Sequence, residues 1–405
     1  MVVLLMSNTI ITYYVEVLSQ MKVLQINSVC GVRSTGRIVS DLAEEFLVNG
    51  HECRIVYGRA EAPENYKSIS YKMSNSARIM VNGFKARVLD NEGFNARKDT
   101  QKLLKWAEEY NPDLLWLHNL HGYYINVEML FDWIKTRPEM EVRWTLHDCW
   151  PFTGHCAHFS FANCQLWQEG CRECCQTKEY PASIIRDASH INFKRKRKAF
   201  CGVQNMTLIC PSQWLANLVK KSFLKDYPVE VKHNSIDSNT FQPTVSDFRE
   251  RMGLTSKKIV LGVATAWSEK KGLSDFVKLS ELLNSNYCII LVGVSSRIRK
   301  KLPSSIICIP RTNSKKELAE IYSAADVFIN LTYEDTYPTV NLEAQACGTM
   351  CFTYETGKAR IPQQTYRTII GQMRAGDLGG ATVGIERLKK KLAKEDAANE
   401  NRSRK

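Results

Sequence analysis

The chain of 405 residues lacks any apolar run as long as the ~18 residues that a membrane-spanning helix needs. It also lacks a recognisable secretion signal, since residues 1–20 have apolar patches but neither a basic start nor a small-residue cleavage site. A zinc finger, a helix-turn-helix and an RNP-type motif are all missing. These absences count against a secreted or membrane-spanning protein and against a nucleic-acid partner, and they favour a cytoplasmic location.

What is present is the composition of an ordinary globular protein, with 44% hydrophobic and 24% charged residues. The net charge is +13, and two basic runs stand out, Lys194–Lys198 (KRKRK) and Arg297–Lys301 (RIRKK). Such a run most often forms a solvated helix face. An anionic membrane surface is the alternative that we rank above nucleic acid, because it attracts each nearby Lys or Arg by roughly 1 kcal/mol. A lipid-linked diphosphate acceptor would present the same negative charge.

Strands and helices alternate along the chain, which predicts doubly wound α/β domains. The first series starts with a strand over Lys22–Val29 and continues to a strand over Met206–Cys210. The pattern breaks into a polar linker around Val231–Pro243, and a second series runs from Lys258–Ala264 to Met350–Tyr354. At about 100–200 residues for each domain, the chain is long enough for two.

These patterns divide the chain into four segments. Residues 21–238 are predicted to form a first Rossmann-like domain and residues 239–385 a second. Residues 1–20 are predicted to be an extra arm, because the first strand begins directly after Met21, an alternative start. Residues 386–405 are predicted to form a charged tail.

The most informative stretch is Tyr333–Gly348 (YEDTYPTVNLEAQACG), which follows a buried-strand pattern at Asp326–Leu331. Pro338 stands where a first helical residue needs its N–H least. Gly348 stands where a left-handed C′ residue would end that helix. The helix N-terminus would then open onto the crevice above the strands, where open α/β sheets bind ligands and where a phosphate is favoured.

Two carboxylates, Asp335 and Glu343, stand eight positions apart within this stretch. One acid at the mouth of the crevice and one in the first turns of the helix suit a phosphorylated ligand that also carries hydroxyl groups. A nucleotide sugar fits that description.

The stretch resembles the E-x7-E region of retaining glycosyltransferases of the GT-B fold, of the group 1 or family 4 type. That family includes many bacterial enzymes that build capsular, exo- and colanic-acid-type polysaccharides and lipopolysaccharide. The resemblance covers most of residues 21–385 and implies an α/β GT-B fold, two Rossmann-like domains facing a cleft. It places the acceptor side in the first domain and the donor nucleotide in the second. It also implies that Asp335, with Glu334 and Thr336 beside it, contacts the transferred sugar and that Glu343 contacts the ribose, although the family carries Glu at the first position.

A basic turn, Trp267–Leu273 (WSEKKGL), follows the first strand of the second domain. Lys270 and Lys271 would lie at the carboxyl end of that strand and suit a diphosphate, whereas two lysines alone most often form a solvated turn. The family carries an Arg where this chain has Ala266. Either Lys270 supplies that charge or the donor site is weaker than usual.

A glycine-bearing loop, Cys30–Arg37 (CGVRSTGR), follows the first strand of the chain. It lacks the G-x-G-x-x-G fingerprint, and a short turn often needs glycine anyway, so the loop is a weak signal by itself. The resemblance implies that the backbone here approaches the donor phosphates and the acceptor, with Gly36 and Arg37 as donor contacts.

Three histidines follow strands of the first domain. His147 (TLHDCW) ends one strand, and similar enzymes place a histidine from this region near the transferred sugar, which implies that His147 orients the sugar. A lone histidine is as often structural. His118 and His121 (LHNLHG) end the neighbouring strand and are predicted acceptor contacts. Their spacing also occurs in metal pairs, but the sequence assigns no third ligand.

Six of the fourteen cysteines cluster in an insertion, residues 149–175, of the first domain. The Cys171-x2-Cys174 pair, preceded by Cys156 and Cys164, has the character of a four-thiolate structural zinc site. The spacing from Cys156 to Cys164 is longer than in the usual knuckle. The alternative is a set of reduced thiols in a packed loop, because the cytoplasm disfavours disulfides.

The sequence thus predicts a metal-independent retaining hexosyltransferase that needs no cofactor and lies in the cytoplasm or on the inner face of the membrane. It would move a sugar from a nucleotide-diphosphate sugar to a growing polysaccharide or a lipid-linked oligosaccharide, with Asp335, His147 and Lys271 as catalytic residues. Two alternatives stay open, a GT-B epimerase or hydrolase and a catalytically weak membrane-surface binding protein. The departures from the family pattern at Ala266 and Lys358 leave a weakened enzyme open as well.

Overall fold

The computed structural model describes residues 20–353, which fold into two α/β domains. The predicted arm apart from Gln20, the predicted tail and Lys358 lie outside the described residues. The first domain holds a seven-stranded sheet and the second a five-stranded sheet. All strand pairs between residues 20 and 353 are parallel, as the alternating pattern of strands and helices predicts.

The strands are short and apolar, as is typical of parallel sheets that are covered on both faces. Those of the first sheet are β1 (Lys22–Asn27), β2 (Glu52–Tyr57), β3 (Ser70–Lys72), β4 (Leu114–Leu117), β5 (Glu141–Thr145), β6 (Met206–Cys210) and β7 (Val229–Val231). Those of the second sheet are β8 (Lys258–Val263), β9 (Tyr287–Val292), β10 (Ile306–Ile309), β11 (Val327–Asn330) and β12 (Met350–Thr353).

Helices cross over between successive strands. Those of the first domain are α1 (Arg33–Val48), α2 (Ser76–Leu89), α3 (Arg97–Tyr110), α4 (Val127–Lys135), α5 (Ser189–Phe200) and α6 (Gln213–Val219). Those of the second domain are α7 (Phe248–Arg251), α8 (Leu273–Leu282), α9 (Ser296–Arg299), α10 (Lys315–Ala324) and α11 (Thr339–Ala346). Between residues 20 and 353, none of these helices combines the length and the apolar composition that crossing a bilayer requires.

The order of the strands determines where a ligand can bind. The first sheet runs β3-β2-β1-β4-β5-β6-β7 and the second runs β10-β9-β8-β11-β12. The winding therefore reverses between β1 and β4 in one domain and between β8 and β11 in the other. Loops that leave the strands at such a point diverge and open a crevice at the carboxyl edge of the sheet.

The first strand and the first helix have different bounds from those predicted. β1 ends at Asn27, whose side-chain carbonyl accepts a hydrogen bond from the Asn119 amide (3.2 Å) instead of continuing the ladder. α1 begins at Arg33. Gly36 and Arg37 therefore lie inside the first turns of α1, and the prediction that they belong to a loop is wrong.

The first basic run is only partly open to solvent. Lys194–Lys198 lies in α5, where Lys196 is buried and donates to the carbonyls of Trp150 (2.8 Å) and Thr153 (3.1 Å). Burial lowers the pKa of Lys196 to about 7. Arg195 is held by a glutamate of α4 at 2.6 Å. The run therefore splits between two roles: Lys196 and Arg195 pack the helix against the first domain, and Lys194, Arg197 and Lys198 are exposed to solvent.

Candidate active site

A cleft of about 470 Å³ lies between the two domains. The first domain contributes Arg33, Ser34 and Arg37 from the start of α1. The second domain contributes side chains from the carboxyl ends of β8, β9 and β10 and from the starts of α10 and α11. The two switch points of strand order thus face each other, as expected for two Rossmann-like domains that share one site.

Of the helix starts at this cleft, those of α1 and α11 have no side-chain cap. The residues before them, Val32 and Pro338, have apolar side chains that cannot accept a hydrogen bond from the first turn. Pro338 precedes α11, so the prediction that it is the first helical residue is off by one position. Gly348 lies in the left-handed region, with φ +78°, directly after the C-cap residue, as predicted. The free N–H groups of both helices suit an anion.

Four basic side chains line the same space, together with the acidic residues Asp41, Asp237 and Glu343. Arg33 and Arg37 line the cleft from the first domain, and Arg311 and Lys315 line it from the second. The sequence interpretation found only Arg37 of these four. Arg311 follows the end of β10 by two residues, so its position after a strand was a usable signal. Together the four cations could neutralise a diphosphate.

Glu343 is the buried carboxylate of this cleft. It lies on α11, lines the cleft and is only 6% exposed. Burial raises its pKa, while the Tyr322 hydroxyl, which donates to Glu343 Oε2 at 3.1 Å, and the charge of Arg37 across the cleft act in the opposite direction. A carboxylate held in this way can accept hydrogen bonds from the hydroxyl groups of a ligand.

The predicted Lys271 and Asp335 meet at the carboxyl edge of the second sheet, with Lys271 Nζ and Asp335 Oδ2 3.0 Å apart. Gly272 makes this approach possible, because it has φ +73° and a Cβ there would lie 2.4 Å from the Cβ of Leu331. Both side chains are only partly buried. The pair lies beside the cleft, whose lining among the described residues does not include either member.

Lys270, Glu334 and Thr336, which were predicted to bind the donor, connect the two domains. Lys270 Nζ lies 3.0 Å from Glu334 Oε2 and donates to Gln176 Oε1 in the first domain at 3.1 Å. Glu334 also accepts a hydrogen bond from the Phe161 amide at 2.6 Å. Thr336 Oγ1 donates to the carbonyl of His147 at 2.8 Å. In this conformation all three side chains are engaged by neighbours, and their donor role stays a prediction.

The three histidines lie at the carboxyl edge of the first sheet. His118 Nδ1 and His147 Nε2 are 3.2 Å apart, and the two rings stack at 5.4 Å. Burial lowers the pKa of His147 to about 4 and that of His118 well below its usual value, so both rings are neutral at physiological pH. His121 is held separately by Asp148 (2.7 Å) and by the Tyr180 hydroxyl (2.9 Å).

The four cysteines of the predicted zinc site do come together. Cys156, Cys164, Cys171 and Cys174 line one cavity of about 10 Å³ as free thiols. A hydrogen bond with Cys156 is the main cause that lowers the pKa of Cys174 to about 7. In the described part of the chain, however, no group of three or more His, Cys, Asp and Glu side chains is arranged to hold a metal ion. The structure therefore gives the zinc prediction no support.

Comparisons with known proteins place this geometry in context. Residues 245–360 match the family described as glycosyl transferases group 1. A stretch of 209 residues is 26% identical to the putative colanic acid biosynthesis glycosyl transferase WcaC of Escherichia coli K12, covering 49% of this chain and 50% of that protein. The chain thus spans about half the length of this curated relative.

Solved structures share the fold across both domains. Sucrose-phosphate synthase from Thermosynechococcus elongatus superposes with a TM-score of 0.57 at 13% identity, over 94% of this chain and 100% of that one. HepE of Anabaena in complex with UDP-glucose superposes with a TM-score of 0.58 at 13% identity, over 90% and 93%. The chain therefore has the two-domain GT-B fold, and residues 245–360 of it match the group 1 glycosyl transferase family.

Proposed function

We propose that this protein is a glycosyltransferase that moves a sugar from a nucleotide-diphosphate sugar to a growing cell-surface polysaccharide or a lipid-linked oligosaccharide. The observation that carries the proposal is the cleft between the domains, where two uncapped helix N-termini and four cations surround the buried Glu343. The helix N-termini and the cations suit a diphosphate, and the Glu343 carboxylate suits a ribose with two hydroxyl groups. The group 1 domain over residues 245–360 supports the same conclusion.

The donor would lie with its diphosphate at the start of α11 and with its ribose hydroxyls on Glu343. Lys271 is the lysine better suited to the diphosphate, because it is partly exposed and, among residues 20–353, pairs with Asp335 alone, whereas Lys270 is engaged by both domains. When Lys271 turns to the diphosphate, Asp335 becomes free to accept a hydrogen bond from the sugar. Lys270 would then hold the domains in register.

The reaction breaks the bond between the sugar C1 and the diphosphate oxygen, and the electron pair leaves with that oxygen. The fixed cations and helix N–H groups stabilise this developing charge, and they perform this role without a divalent metal. For retention, the acceptor oxygen attacks C1 on the face that the diphosphate leaves, and the acceptor proton passes to the departing phosphate oxygen. His147 is neutral and stacked on His118, so its role is to orient the sugar.

The acceptor would enter over the first domain, where His121 lies between Asp148 and Tyr180. WcaC, the relative in E. coli, is described as a colanic acid biosynthesis enzyme, and this favours a polysaccharide or its lipid-linked precursor. HepE binds UDP-glucose, which makes UDP-sugars the first donors to test.

The test is a thermal-shift panel of UDP-, GDP- and TDP-sugars on the wild type, Lys271→Ala and Glu343→Ala. We expect one nucleotide class to stabilise the wild type and neither variant. A folded wild type that no nucleotide stabilises would refute the donor site. Turnover of the donor without an added acceptor would favour the epimerase or hydrolase alternative, and NMR of the product anomer decides between retention and inversion.

A further inference from the structure

The outer face of α2 carries large apolar side chains that are open to solvent. Met80, Val81 and Phe84 are 74%, 53% and 69% exposed. Ile184 and Ile185, from the loop between the cysteine-bearing insertion and α5, are 76% and 74% exposed. They adjoin the same helix, because the Ile184 amide donates to the carbonyl of Arg87 at 2.7 Å. These five apolar residues are called the α2 patch below.

The fold does not need the α2 patch for its own core. The helix packs inward through the small residues Gly83 and Ala86, and a Cβ at Gly83 would lie 3.2 Å from the Tyr123 ring. Met80, Val81 and Phe84 follow the spacing i, i+1, i+4 on the opposite side. A helix that is apolar on both faces but buries only one of them leaves a second apolar surface, which is typical of an interaction site.

The charge around the α2 patch identifies the kind of surface it fits. α2 contains three exposed basic residues, Arg78, Lys85 and Arg87, and no acidic residue. Arg78 pairs with Asp99 at 2.6 Å, so the charge offered to a partner comes from Lys85 and Arg87. Arg186 is exposed directly after the two isoleucines. Apolar side chains that can enter the acyl boundary, flanked by Lys and Arg that can reach lipid phosphates, are typical of a helix lying in a membrane interface.

The α2 patch also borders the predicted acceptor side. Asn82 Nδ2 donates to the carbonyl of Tyr123 at 3.1 Å, and the Tyr123 and Tyr180 rings lie 6.5 Å apart. The Tyr180 hydroxyl bonds to His121. A bilayer touching the α2 patch would therefore lie next to the loops that carry the acceptor histidines.

We propose that the α2 patch docks the protein on an anionic lipid bilayer, so that a lipid-linked acceptor reaches the cleft from the membrane surface. The purpose of docking rests on the proposed function, but docking itself does not require turnover. From the sequence, the basic runs Lys194–Lys198 and Arg297–Lys301 were the candidates for a membrane contact. In the first run Lys196 is buried, whereas Lys194, Arg197 and Lys198 are exposed. α2 differs from this run because it exposes three large apolar side chains beside its basic ones.

The test is flotation of the full chain, without donor or acceptor, on vesicles of phosphatidylcholine with and without phosphatidylglycerol. We expect the wild type to float with the anionic vesicles. Each of two double variants should lower the bound fraction roughly tenfold, because it removes apolar side chains that insert into the bilayer. These variants are Met80→Gln with Phe84→Gln and Ile184→Gln with Ile185→Gln. Lys85→Gln should lower it less and make binding less sensitive to salt.

Matched controls separate the α2 patch from general stickiness. Val245→Gln removes a fully exposed apolar side chain in the second domain, and Lys194→Gln with Lys198→Gln removes charge from α5. Both controls should float like the wild type. Equal binding by all variants, or no binding by a wild type that nucleotides still stabilise, overturns the proposal without affecting the donor site. A third outcome would also overturn the proposal. The wild type would not float but would dimerise in sedimentation equilibrium, and the double variant Met80→Gln with Phe84→Gln would be monomeric. The α2 patch would then be assigned to contact with a second copy.

Discussion

The exchange Glu343→Gln should weaken donor binding without weakening the fold. Glu343 is buried in the cleft, and burial raises its pKa, so the folded chain holds a carboxylate at a cost in solvation. Glutamine keeps an oxygen that can accept the hydrogen bond from Tyr322, which spans 3.1 Å, but it removes the charge. We therefore expect the free energy of unfolding without ligand to stay unchanged or to rise by about 1 kcal/mol.

The same exchange, Glu343→Gln, should weaken the binding of the nucleotide. A hydrogen bond to a charged group contributes about 1.5–3 kcal/mol, so its loss weakens binding roughly 10- to 150-fold. At a nucleotide concentration of about 100 times Kd, the ligand stabilises the wild type by about 2.7 kcal/mol. A variant that binds about 100-fold more weakly would gain only about 0.4 kcal/mol at that concentration.

The assay is unfolding in urea with and without the nucleotide that stabilises the wild type, together with calorimetric titration. Glu334→Gln is the matched control, because Glu334 is also a buried glutamate, but it pairs with Lys270 of its own domain and accepts a hydrogen bond from the Phe161 amide of the first domain. That control should lower the free energy of unfolding and affect the nucleotide less. If Glu343→Gln destabilised the free protein as much as Glu334→Gln and bound nucleotide normally, Glu343 would be a structural residue and our reasoning would be refuted.

Further predictions concern the surroundings of the cleft. Lys271→Gln should lower donor affinity by about 1.5–3 kcal/mol, measured by calorimetry, and unchanged affinity would exclude a diphosphate contact. Arg311→Gln should weaken nucleotide binding and reduce its dependence on salt, in titrations at low and high ionic strength. The pKa of His147 is about 4. As pH falls, His147 becomes protonated in the unfolded chain before it does so in the folded chain. The free energy of unfolding should therefore fall as pH drops from about 6.5 to about 4. His147→Asn should reduce that slope in urea unfolding, and an unchanged slope would contradict the assignment. Gly272→Ala should cost about 1–3 kcal/mol, read as a lower Tm, because a Cβ at φ +73° meets Leu331.

The sequence by itself determined the alternation of strands and helices, although it did not predict the short strands β3 and β7. It also located Glu343, because a helix that starts after a strand and ends at a left-handed glycine is a local pattern that carries its own boundaries. The errors at this level were small and had local causes, such as the early end of β1 at Asn27 and the start of α11 after Pro338.

Only the tertiary structure decided which distant residues share a site. Arg37 and Arg311 face one cleft from different domains, and sequence spacing carries no information on such an approach. Lys196 is buried within a run of five basic residues, because α5 happens to turn it toward two carbonyls. The outward face of α2 could not be chosen from the sequence either, since both of its faces are apolar and packing against Tyr123 selects the buried one. Local periodicity specifies elements, whereas the docking of those elements selects the residues that meet a ligand or a membrane.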